Sequence, residues 1–93
     1  MIVGVMVLEL HSRSTHSLKE KRRVVGSLKE KLRRRFNVAV IESGHQDSRQ
    51  QAQVAVVTIS CSRPVLDGVL SSIENFVADE FPMLSVHVET EYL

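Results

Sequence analysis

The stretch that decides the fold runs from residue 18 to residue 36 and reads LKEKRRVVGSLKEKLRRRF. Its apolar residues recur at helical spacing, and at about 100° per residue five of them fall within one arc: Leu18, Val25, Leu28, Leu32 and Phe36. Ser17 stands before the stretch as an N-cap, because its hydroxyl can accept from the amide of Glu20 while the Glu20 carboxylate reaches back to the amide of Ser17. The pattern predicts an amphipathic helix lying on a sheet.

Valine-rich or alternating segments on both sides of this helix predict four strands. A second helix should begin at Pro64, because the missing proline amide would be unpaired there anyway, and Pro82 should end it. In order, the predicted elements are a strand at 2–10, the basic helix at 18–36, strands at 38–43 and 53–61, a helix at 64–81 and a strand at 84–89.

The order βαββαβ in a chain of 93 residues favours an α+β, ferredoxin-like sandwich, in which a four-stranded antiparallel sheet carries two helices on one face. Residues 1–93 are expected to form a single domain, since no Pro-, Gly- or Ser-rich linker divides them. No segment approaches the roughly 20 apolar residues that cross a bilayer, and the start lacks a signal-peptide pattern. With Cys61 the one cysteine, a reducing cytoplasm is expected and no membrane partner.

The first and third strands form the central pair of such a sheet, and both carry valine on either face. The face without helices should therefore present an apolar patch, and patches of this kind commonly mark an interface. The alternative is that central strands are simply apolar throughout. We expect a homo-oligomer, most simply a homodimer, that associates through Val3, Val5, Val7, Val54 and Val56.

Positive charge is concentrated on the first helix. Residues 18–36 hold nine of the twelve Lys and Arg residues and only two carboxylates, a surplus of seven. Residues 64–93 hold six carboxylates and no Lys or Arg, so the net charge of +1 hides a strong polarity. Outside the apolar stripe, an arc of about 140° on the helical wheel contains Lys19, Arg22, Arg23, Lys29, Arg33 and Arg34.

These six residues are predicted to bind the phosphate backbone of RNA or of a ribosomal subunit, because the planar guanidinium fork suits phosphate. The chain has only four aromatic residues, so base stacking and sequence-specific reading of RNA or DNA are not expected. Two alternatives remain: a solvated charged face, and a face that meets acidic protein, including the C-terminal region of another subunit. Lys21 falls inside the apolar stripe, where its stem should pack on the sheet and its ammonium should emerge near an acid.

No constellation of residues points to catalysis. His11, His16, His45 and His87 are scattered, without the spacing of a zinc site. Acylphosphatases share this length and element order, but their glycine-rich phosphate cradle has no counterpart in the loop HSRSTHS at 11–17. We therefore expect no enzyme, catalytic residue, metal or cofactor. A small-ligand regulatory module or a protein-interaction module of the same topology is the alternative, with the loop Gly44–Gln51 as its candidate site.

The run HSLKEKRRVVGSLKEKLRRRFNVAVIESGHQD at 16–47, followed by QAQVAVVTIS at 51–60, closely resembles the YlxP-like family of small bacterial proteins of unknown biochemical function. The resemblance covers nearly all of the chain and is most specific at 17–23 and 35–40. It implies a ferredoxin-like fold and a role near the ribosome or RNA, since genes of the family commonly neighbour those for translation initiation and ribosome-binding factors. It implies no catalytic residues. Many relatives carry an aromatic residue after the QD pair, where this chain has Ser48 and Arg49, so no base stacking by that loop is implied.

Overall fold

The computed structural model describes residues 1–93 and confirms the ferredoxin-like fold. Its elements are β1 (Ile2–Ser12), α1 (Leu18–Arg35), β2 (Ala39–Gly44), β3 (Gln51–Ser60), α2 (Arg63–Glu80) and β4 (Leu84–Tyr92). The strands form one antiparallel sheet in the order β2-β3-β1-β4, so β1 and β3 are the central pair. The strands are longer than predicted at several ends, most clearly in β4.

The core lies between the helices and one face of the sheet. The register pairs Met6 with Val56 and Leu8 with Val54, which puts these four side chains on the same face, and none is more than 1% exposed. Full burial of a side chain of this size contributes about 1.5 to 3 kcal/mol. From the helices the same layer receives Val25, Leu28 and Leu32 of α1 and Leu66, Leu70, Ile73 and Val77 of α2.

The register corrects one part of the expected interface. Val54 and Val56 are 0% exposed beneath the helices and cannot contact a second copy, so their assignment to the open face was wrong. Valine occupies both faces of β3, and one residue of register decides which face is covered. Gln51 and Gln53 share the open face with Val57 and were the polar residues that could have marked it. Val3, Val5 and Val7 do lie on the open face.

The start of α1 agrees with the sequence in its cap and differs in one contact. Ser17 Oγ accepts from the Glu20 amide at 3.1 Å, as a capping serine does. The Glu20 carboxylate accepts from the amide of His16 at 3.2 Å, one residue earlier than the expected Ser17 amide. The helix entry is therefore fixed from both sides.

The end of β4 is held against the start of α2. The guanidinium of Arg63 lies 3.5 Å from the centroid of the Tyr92 ring, and Arg63 Nε donates to Asp67 Oδ1 at 3.1 Å. Tyr92 donates its hydroxyl proton to the same carboxylate oxygen. This bond, together with that from Arg63, lowers the pKa of Asp67, and it raises the pKa of Tyr92. The residues that anchor the last strand thus come from opposite ends of a 30-residue segment, 63–92. Because this anchor depends on α2, the alternation within the strand predicted an end at residue 89, whereas β4 continues to Tyr92.

Neither helix is long and apolar enough to span a membrane.

Candidate nucleic-acid interface

The six cations predicted to bind phosphate lie on the side of α1 that faces away from the sheet. Five of them are exposed and Lys29 is half-buried, while the buried side of the helix carries Lys21 and the apolar stripe. We call this surface the basic face; it consists of Lys19, Arg22, Arg23, Lys29, Arg33 and Arg34.

Acidic side chains neutralise little of the basic face. One ion pair touches it, between Arg34 Nε and Glu30 Oε1 at 3.2 Å, and both partners are exposed. An exposed i,i+4 pair is worth only about 0.3 to 0.5 kcal/mol. Arg33 Nη2 donates to the carbonyl of Val40 at 2.9 Å, a neutral acceptor on the edge strand β2 that leaves its charge intact. The other four cations form no ion pair with any carboxylate of the chain.

The remaining cations of α1 face the protein. Lys31 Nζ lies 3.6 Å from Glu80 Oε2 and 5.3 Å from the centroid of the Phe81 ring. Arg35 lies 5.2 Å from the centroid of the Phe76 ring. These contacts join α1 to α2. The acidic C-terminal segment therefore pairs with Lys31 and covers none of the six cations of the basic face.

Lys21 serves the fold, as its place in the apolar stripe predicts. The residue is 3% exposed, and its ammonium donates to three backbone carbonyls, those of His45 at 2.6 Å, Gln46 at 3.2 Å and Gln51 at 3.3 Å. Glu42 Oε2 lies 3.5 Å away and makes no hydrogen bond. Lys21 therefore ties α1 to the hairpin between β2 and β3 and cannot bind phosphate.

Gly26 stands in the middle of the basic face and is exposed. A Cβ atom built on it would meet nothing within 4 Å, whereas one built on Gly4 would lie 3.1 Å from Leu66. Packing within the protomer therefore explains the glycine at position 4 but not at position 26. A glycine in a helix interior costs about 0.5 to 1 kcal/mol relative to alanine. At position 26 no close packing contact offsets this cost.

The open face of the sheet carries an apolar patch over β1, β2 and β3. Ile41 and Ile59 are each 61% exposed, and Val57 between them is 36% exposed. The neighbouring edge strand β4 contributes acids to this face, since Glu89 pairs with Val7 and Glu91 with Val5. We call the apolar part the open patch; it consists of Val3, Val5, Val7, Ile41, Ala55, Val57 and Ile59.

One end of the open face is polar and holds a shallow cavity of about 320 Å³ that is open to solvent. His45, with a φ of 60°, brings its Nε2 to 3.4 Å from Glu9 Oε2. The Nε2 atom of His11 is buried without a hydrogen-bond partner. No three acidic, histidine or cysteine side chains are grouped closely enough to hold a metal ion. The lining residues are Glu9, Leu10, His11, His45, Gln51, Ser85, Val86 and His87.

The sequence showed these histidines as scattered, and the sheet brings three of them to one end. β1 and β4 pair so that Glu9 lies beside His87 and His11 beside Ser85, while the β2–β3 hairpin returns His45 to the same end. The alternation of Glu9 with His11 was the one available signal. That alternation predicts a shared site only once the pairing of β1 with β4 is known.

Comparison with known proteins gives a family. The family model described as "Protein of unknown function (DUF503)" matches residues 3–90 of the chain. The uncharacterized protein YlxP of Bacillus subtilis (strain 168) is 35% identical over 66 residues, which make up 71% of this chain and 71% of that protein. Both findings confirm the resemblance seen in the sequence.

Solved structures of similar shape show the fold. The de novo designed protein Foldit4 has a TM-score of 0.58 and 15% identity, with 98% of this chain and 97% of that chain covered. A dimeric ferredoxin-like protein from an uncultured marine organism has a TM-score of 0.55 and 11% identity, with 98% of this chain and 92% of that chain covered. At such identities the likeness extends to the fold alone.

Proposed function

The chain belongs to the DUF503 family of proteins of unknown function, and on that premise we propose that it is a non-enzymatic accessory protein that binds the phosphate backbone of RNA, free or within a ribosomal subunit, through the basic face. One observation carries the proposal: five of the six cations there have no carboxylate partner, and of these only Arg33 makes a hydrogen bond, to a neutral carbonyl. The protein would work in the cytoplasm, in keeping with its single exposed cysteine, Cys61.

The energetics of the helix support a polyanion as the partner. Lys19 and Arg23 stand at i,i+4 spacing, as do Lys29 and Arg33. Like-charged pairs at this spacing destabilise a helix by about 0.2 to 0.5 kcal/mol each, and a bound phosphate chain would relieve that repulsion. Arginine, which predominates here, can bind phosphate oxygens through two parallel hydrogen bonds.

Binding to RNA should depend steeply on salt. Three or four phosphate contacts give a slope of about −2 to −4 in a plot of log affinity against log salt concentration. The measurement is fluorescence anisotropy of a labelled ribosomal RNA fragment, titrated with the protein at several salt concentrations between about 50 and 200 mM. Absence of binding at the lowest salt, or an affinity indifferent to salt, would contradict the proposal.

We also propose that the protein is a homodimer joined through the open patch. Exposed isoleucines on adjacent strands make a contiguous apolar surface of the kind that marks interfaces. The double variant Ile41→Lys/Ile59→Lys should therefore be a monomer in sedimentation equilibrium, where the natural chain is a dimer. Val65→Lys is the matched control, because Val65 is 58% exposed on α2, away from the patch. A natural chain that stays monomeric at high micromolar concentration would exclude this interface.

A second candidate function is favoured by the cavity at the polar end of the open face. Its three histidines, with His45 from the Gly44–Gln51 loop, could bind a small polar ligand, which fits a regulatory module of this topology. A saturable rise in melting temperature with one member of a set of nucleotides and carboxylic acids, together with no binding to RNA, would favour it over the basic face.

A further inference from the structure

The basic face carries no Phe, Tyr or Trp ring on which an unpaired base could stack. Nonspecific single-strand binding and sequence-specific RNA reading both use exposed aromatic rings on which bases stack. All aromatic side chains of this chain are engaged elsewhere: Phe81 is buried, Phe36 packs edge-to-face on Phe76 with centroids 5.8 Å apart, and Tyr92 is covered by Arg63. The face therefore offers guanidinium and ammonium groups without a stacking platform, which suits the phosphates and sugars that a double helix displays on its outside.

The cations of the basic face form two clusters with a gap between them. The N-terminal cluster is Lys19, Arg22 and Arg23, and the C-terminal cluster is Lys29, Arg33 and Arg34. At about 1.5 Å of rise per residue their centres lie about 16 Å apart along a rigid helix. A fixed spacing of this kind suits a target whose phosphates are themselves fixed on two strands.

Gly26 falls in the gap between the clusters, at the surface where no atom of the protomer would meet a Cβ. The absence of a side chain lowers the surface of α1 there, so a partner can approach the helix backbone. Glycine is the residue that proteins use where a ligand must come close to the backbone. The surface of α1 is thus recessed at Gly26 and carries a cationic cluster on each side of it.

We infer that the RNA bound by the basic face is double-helical, with α1 lying across its minor groove. Gly26 faces the groove floor, and the two clusters contact the phosphates of the two opposite strands. The minor groove of an RNA helix is wide and shallow and displays 2′-hydroxyls, whereas the major groove is too deep and narrow for side chains to read. This inference rests on the proposed function and names the class of RNA.

The test compares an RNA duplex with one of its unstructured single strands in the same anisotropy assay at equal salt. The duplex should bind at least about 10-fold more tightly, a difference of about 1.4 kcal/mol. Equal affinity for the single strand would overturn the inference and leave the proposed function standing. Equal affinity for a DNA duplex of the same sequence would overturn the assignment to the RNA minor groove. Absence of binding to every nucleic acid would remove the proposed function itself.

Gly26→Leu tests the place of contact. Leucine forms helix more readily than glycine, so the melting temperature should hold or rise while duplex affinity falls about 10-fold or more. Gly68→Leu is the matched control, because Gly68 lies exposed in α2 and a Cβ there also meets nothing within 4 Å. It should raise the melting temperature similarly and leave affinity unchanged. Unchanged duplex binding by Gly26→Leu would show that Gly26 does not face the RNA.

Discussion

Replacement of Lys21 by methionine is expected to lower the free energy of unfolding by about 3 to 5 kcal/mol, the range found when one partner of a buried ion pair is removed. Methionine keeps the apolar stem but not the ammonium, so the carbonyls of His45, Gln46 and Gln51 lose their common donor. Glu42, whose side chain is 19% exposed, loses its counter-ion. A domain of this size has about 5 to 15 kcal/mol in total, so the loss is a large fraction of its stability.

The measurement is urea unfolding followed by circular dichroism. Lys19→Met is the matched control, because Lys19 lies exposed two residues earlier on the same helix, and surface changes of this kind stay within about 0.5 kcal/mol. If the stranded carboxylate causes much of the loss, Lys21→Met/Glu42→Gln should recover part of it, since groups in contact are not additive. A Lys21→Met protein within about 1 kcal/mol of the natural chain would show that the hairpin does not depend on this ammonium.

The fold was predictable because local patterns and architecture agree. The apolar stripe and Ser17 cap of α1 fix the first helix, and the proline in the first turn of α2 fixes the second. The resulting order of elements admits few topologies. The burial of Lys21 was predictable for the same reason, since a helical wheel assigns a residue to one face of the helix without knowledge of what packs against that face. Strand faces were harder, because Val54 and Val57 are chemically alike and only pairing with β1 separates the covered face from the open one.

The candidate site divides in the same way. The basic face lies on one helix, so its residues could be gathered from spacing alone. Its freedom from acids could not be predicted, because that depends on where α2 lies. The helical wheel places Lys31 outside the basic face, but only the structure shows that Glu80 is its partner. The histidine-lined cavity needs three elements to meet and therefore has no local signature.

Reversal of four charges on the basic face should abolish RNA binding at moderate salt. Each of Arg22, Arg23, Arg33 and Arg34 is replaced by Glu, which removes up to four phosphate contacts and adds repulsion. Two lost contacts alone, at about 1.5 kcal/mol each, weaken binding about 100-fold. Any residual binding at low salt should have a shallower salt slope, because each lost phosphate contact removes about 0.7 to 0.9 from it.

Two smaller variants separate position from net charge. Arg22→Gln/Arg23→Gln and Ser71→Glu/Asn75→Glu each lower the formal charge by two, from +1 to −1, but the second pair lies on the exposed side of α2. If binding requires the basic face, the first variant loses about 10-fold or more while the second remains close to the natural chain. Both are compared at equal salt, with melting temperatures confirming that each is folded. Equal losses in the two would mean that overall charge, and not α1, attracts the RNA.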